Sequence, residues 1–96
     1  MRLRWMPQAR ADLRDIVSYI ARDNRDAAEQ VRRRIMEATS LLLTQPDMGR
    51  PGRVSGTREL VVAHTQYIIP YRIREGRVEL LAVIHGARQW PESFDE

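Results

Sequence analysis

The sequence predicts a two-layer α+β domain of order β-α-α-β-β-β, a helical hairpin packed on one face of a small, mainly antiparallel sheet. Three observations predict it. Apolar residues recur at helical spacing from Leu13 to Leu42, the spacing changes to two beyond Thr57, and a Pro/Gly-rich stretch separates the two regimes. The 96 residues suffice for one domain, 1–96, and leave no linker or internal repeat.

Each element has its own reason. Arg2–Met6 sets Leu3 between charged neighbours and reads as a short first strand. Pro7 is tolerated in a first helical turn. Leu13, Ile16, Val17 and Ile20 then mark one helical face, while Asp12, Arg14, Asp15 and Arg22 fall off it, and Asp23-Asn24 ends the helix. Asp26 followed by Glu29 resembles a capping box opening a second helix. Its apolar stripe is Ala28, Val31, Ile35, Ala38 and Leu42, and Pro46 closes it. So short a turn between helices predicts an antiparallel hairpin.

Gln45–Gly56 holds Pro46, Gly49, Pro51, Gly52 and Gly56 and reads as a mobile loop. Arg50 and Arg53 lie in it, but the spacing is not that of a phosphate-cradling P-loop. Strands are expected at Arg58–Val62, Tyr67–Arg74 and Arg77–His85, the last two joined through Glu75-Gly76. Arg77–His85 is apolar on both faces, with Val78, Leu80, Ala82 and Ile84 on one and Leu81 and Val83 on the other. Such a strand belongs inside a sheet. Pro70, which has no N–H to donate, predicts a free edge or a bulge beside it.

Composition excludes several classes. There is no cysteine, hence no disulfide or thiolate zinc site. Neither a signal peptide nor a membrane span is legible, so the expected location is the cytoplasm. All 16 basic residues are arginine, whose planar fork of donors suits phosphate and carboxylate. Residues 49–90 carry seven Arg against three Glu, while 91–96 carries three acids and no base. The basic stretch suits nucleic acid or an acidic protein partner.

Several stretches, in order and spacing, resemble the RelE/ParE toxin superfamily, which includes the plasmid-stabilisation proteins. They are Trp5…Pro7…Ala9…Ala11-Asp12-Leu13…Ile16…Tyr19-Ile20, Pro46-Asp47-Met48-Gly49-Arg50, Gly56-Thr57-Arg58-Glu59-Leu60, Tyr67-Ile68-Ile69-Pro70-Tyr71-Arg72 and Val83-Ile84-His85-Gly86-Ala87-Arg88-Gln89-Trp90-Pro91. The resemblance implies the toxin of a type II toxin–antitoxin system, neutralised in a hetero-oligomer by a cognate antitoxin. Members differ in target. The first expectation is ribosome-dependent cleavage of mRNA, without metal or cofactor. The alternative is non-enzymatic inhibition of DNA gyrase.

Cleavage by a 2′-hydroxyl needs a base, an acid and cations at the phosphorane. Alternation puts Arg72 and Arg74 with Ile68 and Pro70 on one strand face, and Tyr67, Ile69, Tyr71 and Ile73 on the other, against the helices. Arg58 starts the neighbouring strand, and His85 and Arg88 end the last. These five are expected to converge on a cationic hollow, with His85, Arg88 and Arg72 as the catalytic candidates. Arg58, Arg74 and Trp90 are the candidates for binding RNA or phosphate.

All of these but Arg88 have a structural alternative. Arg72 and Arg74 could pair across strands with acids such as Glu79, and Arg58 could pair with Glu59. His85 could be a hydrogen-bonded residue at the edge of the core, and Trp90 could pack over the end of the sheet. Tyr67 and Tyr71 read as core, and His64 as an exposed turn residue. Two histidines at this spacing carry no metal signature. The chain departs from the RNA-cleaving members in having no lysine and no tyrosine near the C-terminus, where Trp90 and Phe94 are the only aromatics.

Overall fold

The structure is a computed structural model and describes residues 1–94; Asp95 and Glu96, two of the three acids expected to form an acidic tail, lie outside the described residues. The strands are β1 (Arg2–Trp5), β2 (Arg50–Pro51), β3 (Arg58–Val61), β4 (Tyr67–Arg74), β5 (Arg77–Leu80) and β6 (Ile84–His85). The helices are α1 (Pro7–Ala21) and α2 (Arg25–Ser40), the latter prolonged by a 3-10 turn at Leu41–Leu43. Among the described residues the strands form one mixed sheet of order β1-β5-β4-β3-β2, with β6 also paired to β4. Only β1 and β5 run parallel. The two-layer α+β architecture expected from the sequence is therefore present.

Pro7 occupies the first turn of α1, where its missing N–H costs nothing. The start of α2 corrects the expected capping box. Asn24 is the cap, and its side chain accepts from the Ala27 N–H at 2.9 Å, while Asp26 sits in the first turn. Both residues suit a helix start, but Asn24 alone has the extended backbone a cap requires. Glu75 and Gly76 have φ of 53° and 74°, the two left-handed residues of a tight hairpin turn. His64 is exposed at a turn, with φ of 62°.

The helices cover one face of the sheet. Ala9, Leu13 and Ile16 of α1 and Val31, Ile35, Ala38 and Leu42 meet Leu3, Trp5, Leu60, Val62, Ile69, Tyr71, Val78, Leu80 and Val83. Fully burying each large aliphatic side chain contributes about 1.5–3 kcal/mol. β5 lies between β1 and β4, the interior place its apolar run predicted.

Pro70 sets the main irregularity. Tyr71 stands opposite Leu80, whereas Ile68 stands opposite Ile84, so the register slips by one residue between them. The stretch 81–83 is a bulge facing the residue that has no N–H to donate. Leu81 still donates to the Pro70 carbonyl at 2.9 Å. The bulge corrects the alternation expected for Arg77–His85. Val83 joins Val78 and Leu80 in the core, and Ile84 pairs with Ile68 on the opposite face. The Val83 N–H finds its partner in Asp12 Oδ2 at 3.0 Å, which ties α1 to the bulge.

The stretch expected to be a mobile loop is also corrected. Arg50–Pro51 is a short strand on β3, and Tyr71 anchors the chain before it. The Tyr71 hydroxyl, fully buried, donates to the Pro46 carbonyl at 2.7 Å and accepts from the Gly49 N–H at 2.9 Å. A Cβ on Gly49 would stand 2.6 Å from that hydroxyl and 2.9 Å from the Glu59 carbonyl, so the approach requires glycine. Tyr71→Phe leaves a buried N–H and carbonyl without their partner and is expected to cost about 1–3 kcal/mol. The measurement is the urea midpoint, which should fall without a change in slope.

Candidate functional site

Residues directly opposite across a sheet share a face, so the register sorts the candidate residues. Arg4, Glu79 and Arg72 form one row across β1, β5 and β4, and Arg2, Arg77 and Arg74 form the next. Both rows lie on the face turned away from the helices, as alternation predicted for Arg72 and Arg74. Arg58 stands opposite the core residue Tyr71, and His85 opposite Tyr67, so both belong to the helix side. The five residues expected to converge are thus divided between two faces of the sheet.

Arg72 is only 12% exposed, and its Nε donates to Glu79 Oε1 at 2.8 Å. Glu79 is 2% exposed, and Arg77 also approaches it, at 3.9 Å. The hydrogen bond from Arg72 holds the Glu79 carboxyl below the usual carboxylate range. Burial opposes this, and the charges of Arg72, Arg74 and Arg77 add to the lowering. A second buried carboxylate, Glu59, accepts from Arg50 at 3.0 Å and from both the side chain and the backbone N–H of Arg53. Burial pushes its pKa up, but the hydrogen bonds from Arg53 and Arg50 outweigh burial and leave it lowered.

Arg58 spends its guanidinium on the loop, donating to the Gly49 carbonyl at 2.8 Å and the Asp47 carbonyl at 3.2 Å. Its partner is therefore the loop after α2 and not Glu59. His85 uses both ring nitrogens. Nδ1 accepts from the Ala87 N–H at 3.1 Å, and Nε2 faces Gln66 Oε1. Both contacts together require the tautomer with its hydrogen on Nε2. The ring also meets Tyr67 edge-on, with centroids 5.9 Å apart. Arg88 follows on the same turn, its N–H donating to the His85 carbonyl at 3.0 Å, and its side chain borders an open hollow.

That hollow, about 720 Å³, lies between Gln8 and Asp12 of α1, the bulge 81–84 and the segment from Arg88 to Phe94. Trp90 lines it and carries the Arg53 guanidinium 3.9 Å above its ring. Its Nε1 is buried without a hydrogen-bond partner among the described residues. Arg88 and Trp90 thus share the hollow, while Arg74 stands on the outer rows. Sequence reasoning missed Asp12 and Glu59. Asp12 fell off the apolar stripe of α1 and read as solvated, and Glu59 read only as a partner for Arg58. Among the described residues no three His, Asp or Glu side chains gather as a metal-holding group, and no helix is long and apolar enough to cross a membrane.

Comparisons with known proteins agree with this architecture. Residues 3–90 match the family model described as the ParE toxin of the type II toxin–antitoxin system parDE. The chain is 48% identical over 91 residues to "Putative toxin Y4kP" of Sinorhizobium fredii, covering 95% of this chain and 94% of that one. It is 34% identical over 84 residues to "Toxin RelE2" of Caulobacter vibrioides, covering 88% and 93%. Among solved structures, a chain of the chromosomal ParDE toxin–antitoxin system from P. aeruginosa superposes with a TM-score of 0.79 at 26% identity, over 88% of this chain and 95% of that one.

The lowered carboxylates make a pH prediction. A group with a depressed folded pKa contributes stability that is complete above its unfolded value, near 4.3 for glutamate, and lost as pH falls through the folded value. The urea midpoint of the native chain should therefore drop as pH falls from 5 to 3. In Glu79→Gln the drop should be shallower. That variant should also be about 3 kcal/mol less stable at pH 7, because it removes the carboxylate charge that the buried Arg72 guanidinium faces at 2.8 Å.

Proposed function

This chain belongs to the ParE toxin family of type II toxin–antitoxin systems, and from that premise we propose that it arrests growth by binding DNA gyrase, without cleaving a nucleic acid. As such a toxin it has an antitoxin for its partner. The observation that carries the reading is the closure of the Arg72–Glu79 pair. The guanidinium needed at a phosphorane is desolvated on a carboxylate at 2.8 Å. Freeing it would cost several kcal/mol, since it would strip the buried Glu79 of its hydrogen-bonded partner and leave only Arg77, at 3.9 Å. Arg58 is held on the other side of the sheet by two loop carbonyls, and both ring nitrogens of His85 are engaged. A toxin that acts by binding needs none of these groups free.

One observation favours a second reading, ribosome-dependent mRNA cleavage. His85 and Arg88 stand on one turn, with Trp90 shortly after it and Arg88 and Trp90 both bordering the open hollow. In that reading His85, beside the hollow, would transfer the proton, Arg88 would stabilise the charged phosphate, and Trp90 would stack on a base.

One pair of assays separates the two. Purified toxin should block supercoiling of relaxed plasmid by gyrase, leave message intact in a translation extract, and keep its potency in His85→Ala. Shortened message, abolished by His85→Ala and Arg88→Ala while gyrase runs normally, would transfer the assignment to the second reading.

A further inference from the structure

The row Arg2–Arg77–Arg74 sets three arginines in register on three adjacent strands. Like charges so placed destabilise a sheet. Arg77 has Glu75 at 3.4 Å and Glu79 at 3.9 Å. Arg2 and Arg74 are exposed and have no carboxylate within 4 Å among the described residues. Arg4, exposed in the next row beside Glu79, has none either. Two carboxylates, Glu75 and Glu79, act on these arginines and Glu79 is shared with Arg72, so the repulsion along the row is relieved only in part within the described chain.

We propose that this arginine row is a binding surface for the phosphate backbone of duplex DNA. The proposal rests on the reading that the target is gyrase, an enzyme that holds duplex DNA. It adds that the toxin touches that DNA through the face of β1, β5 and β4 turned away from the helices. Neighbouring strands lie about 4.8 Å apart, so the row presents cations in a line roughly 10 Å long, on the scale of successive backbone phosphates. Arginine forks bind phosphate oxygens in pairs.

Two features favour a duplex over other polyanions. None of Arg2, Arg4, Arg74 and Arg77 has an aromatic cross-strand partner on this face, and single strands are gripped largely by stacking. Every cross-strand position of the two rows is arginine or glutamate, so none supplies the apolar anchor that an acidic peptide would need.

The test is fluorescence anisotropy of a labelled 20-base-pair DNA duplex titrated with the full-length toxin at salt between 50 and 200 mM. The variant is Arg2→Gln/Arg4→Gln/Arg74→Gln, all exposed positions. The control is Arg14→Gln/Arg25→Gln/Arg33→Gln on the helices, which removes the same charge elsewhere. Circular dichroism establishes that both are folded.

Each phosphate contact contributes about 0.9 to the slope of log affinity against log salt. The sheet variant should therefore lose more than about tenfold in affinity at 50 mM salt, and its slope should be shallower by roughly 2 to 3. The control should lose far less. Equal losses in the two variants, or no loss in the sheet variant, would overturn the proposal. So would tighter binding to an RNA duplex of the same sequence, or displacement of the DNA by polyglutamate as readily as by unlabelled duplex. The titration contains no gyrase, so a failure here condemns the surface, whereas a failed supercoiling assay condemns the target.

Discussion

Glu79 is the group around which the outer face of this sheet is organised. It sits near the middle of β5, almost fully buried, with Arg72 on it and Arg77 close by. A buried carboxylate without a partner would cost several kcal/mol, and the guanidinium repays that cost only while it stays in place. The pair therefore acts as a fixed part of the sheet. It removes Arg72 from the pool of cations that could meet a ligand and leaves Arg2, Arg4 and Arg74 at the surface. The division between spent and available arginine follows from this one buried charge.

The same logic recurs two strands away, on β3. Glu59 holds Arg50 and Arg53, and Arg53 in turn lies over Trp90. A cation over an indole contributes about 0.5–2 kcal/mol. The chain from Glu59 through Arg53 to Trp90 joins the C-terminal segment to the short strand β2. The tyrosine that anchors the start of β2 belongs to the core, so the edge of the sheet, the loop and the C-terminal segment are mechanically connected. In a chain of 96 residues without disulfides, such polar ties supplement a core that burial alone leaves marginal.

Much of this was legible in the sequence. The helical stripes, the change of period and Pro70 located the layers and the bulge, and alternation put Arg72 and Arg74 on the uncovered face. What escaped was decided by register. The bulge adds one residue, which a period of two cannot anticipate, so Ile84 and Val83 exchanged faces. Arg58 read as a neighbour of Arg72, but its cross-strand partner is Tyr71, which places it on the helix side. The partners of Glu59 and Asp12 lie in contacts distant in sequence, where local pattern carries no information. The toxin class came from motifs in order along the chain. The proposed target rests on which side chains are already engaged, and that is decided only by contacts in the folded chain.

The claim that Arg72 is structural is open to one direct measurement. Replacing both members of the pair by apolar residues of similar volume, Arg72→Met with Glu79→Leu, removes the charges and keeps the packing. Expressed without its antitoxin, a folded double variant should arrest growth as the native chain does. A folded double variant that lets cells grow normally would contradict the account, because it would show that the Arg72 guanidinium acts on the target.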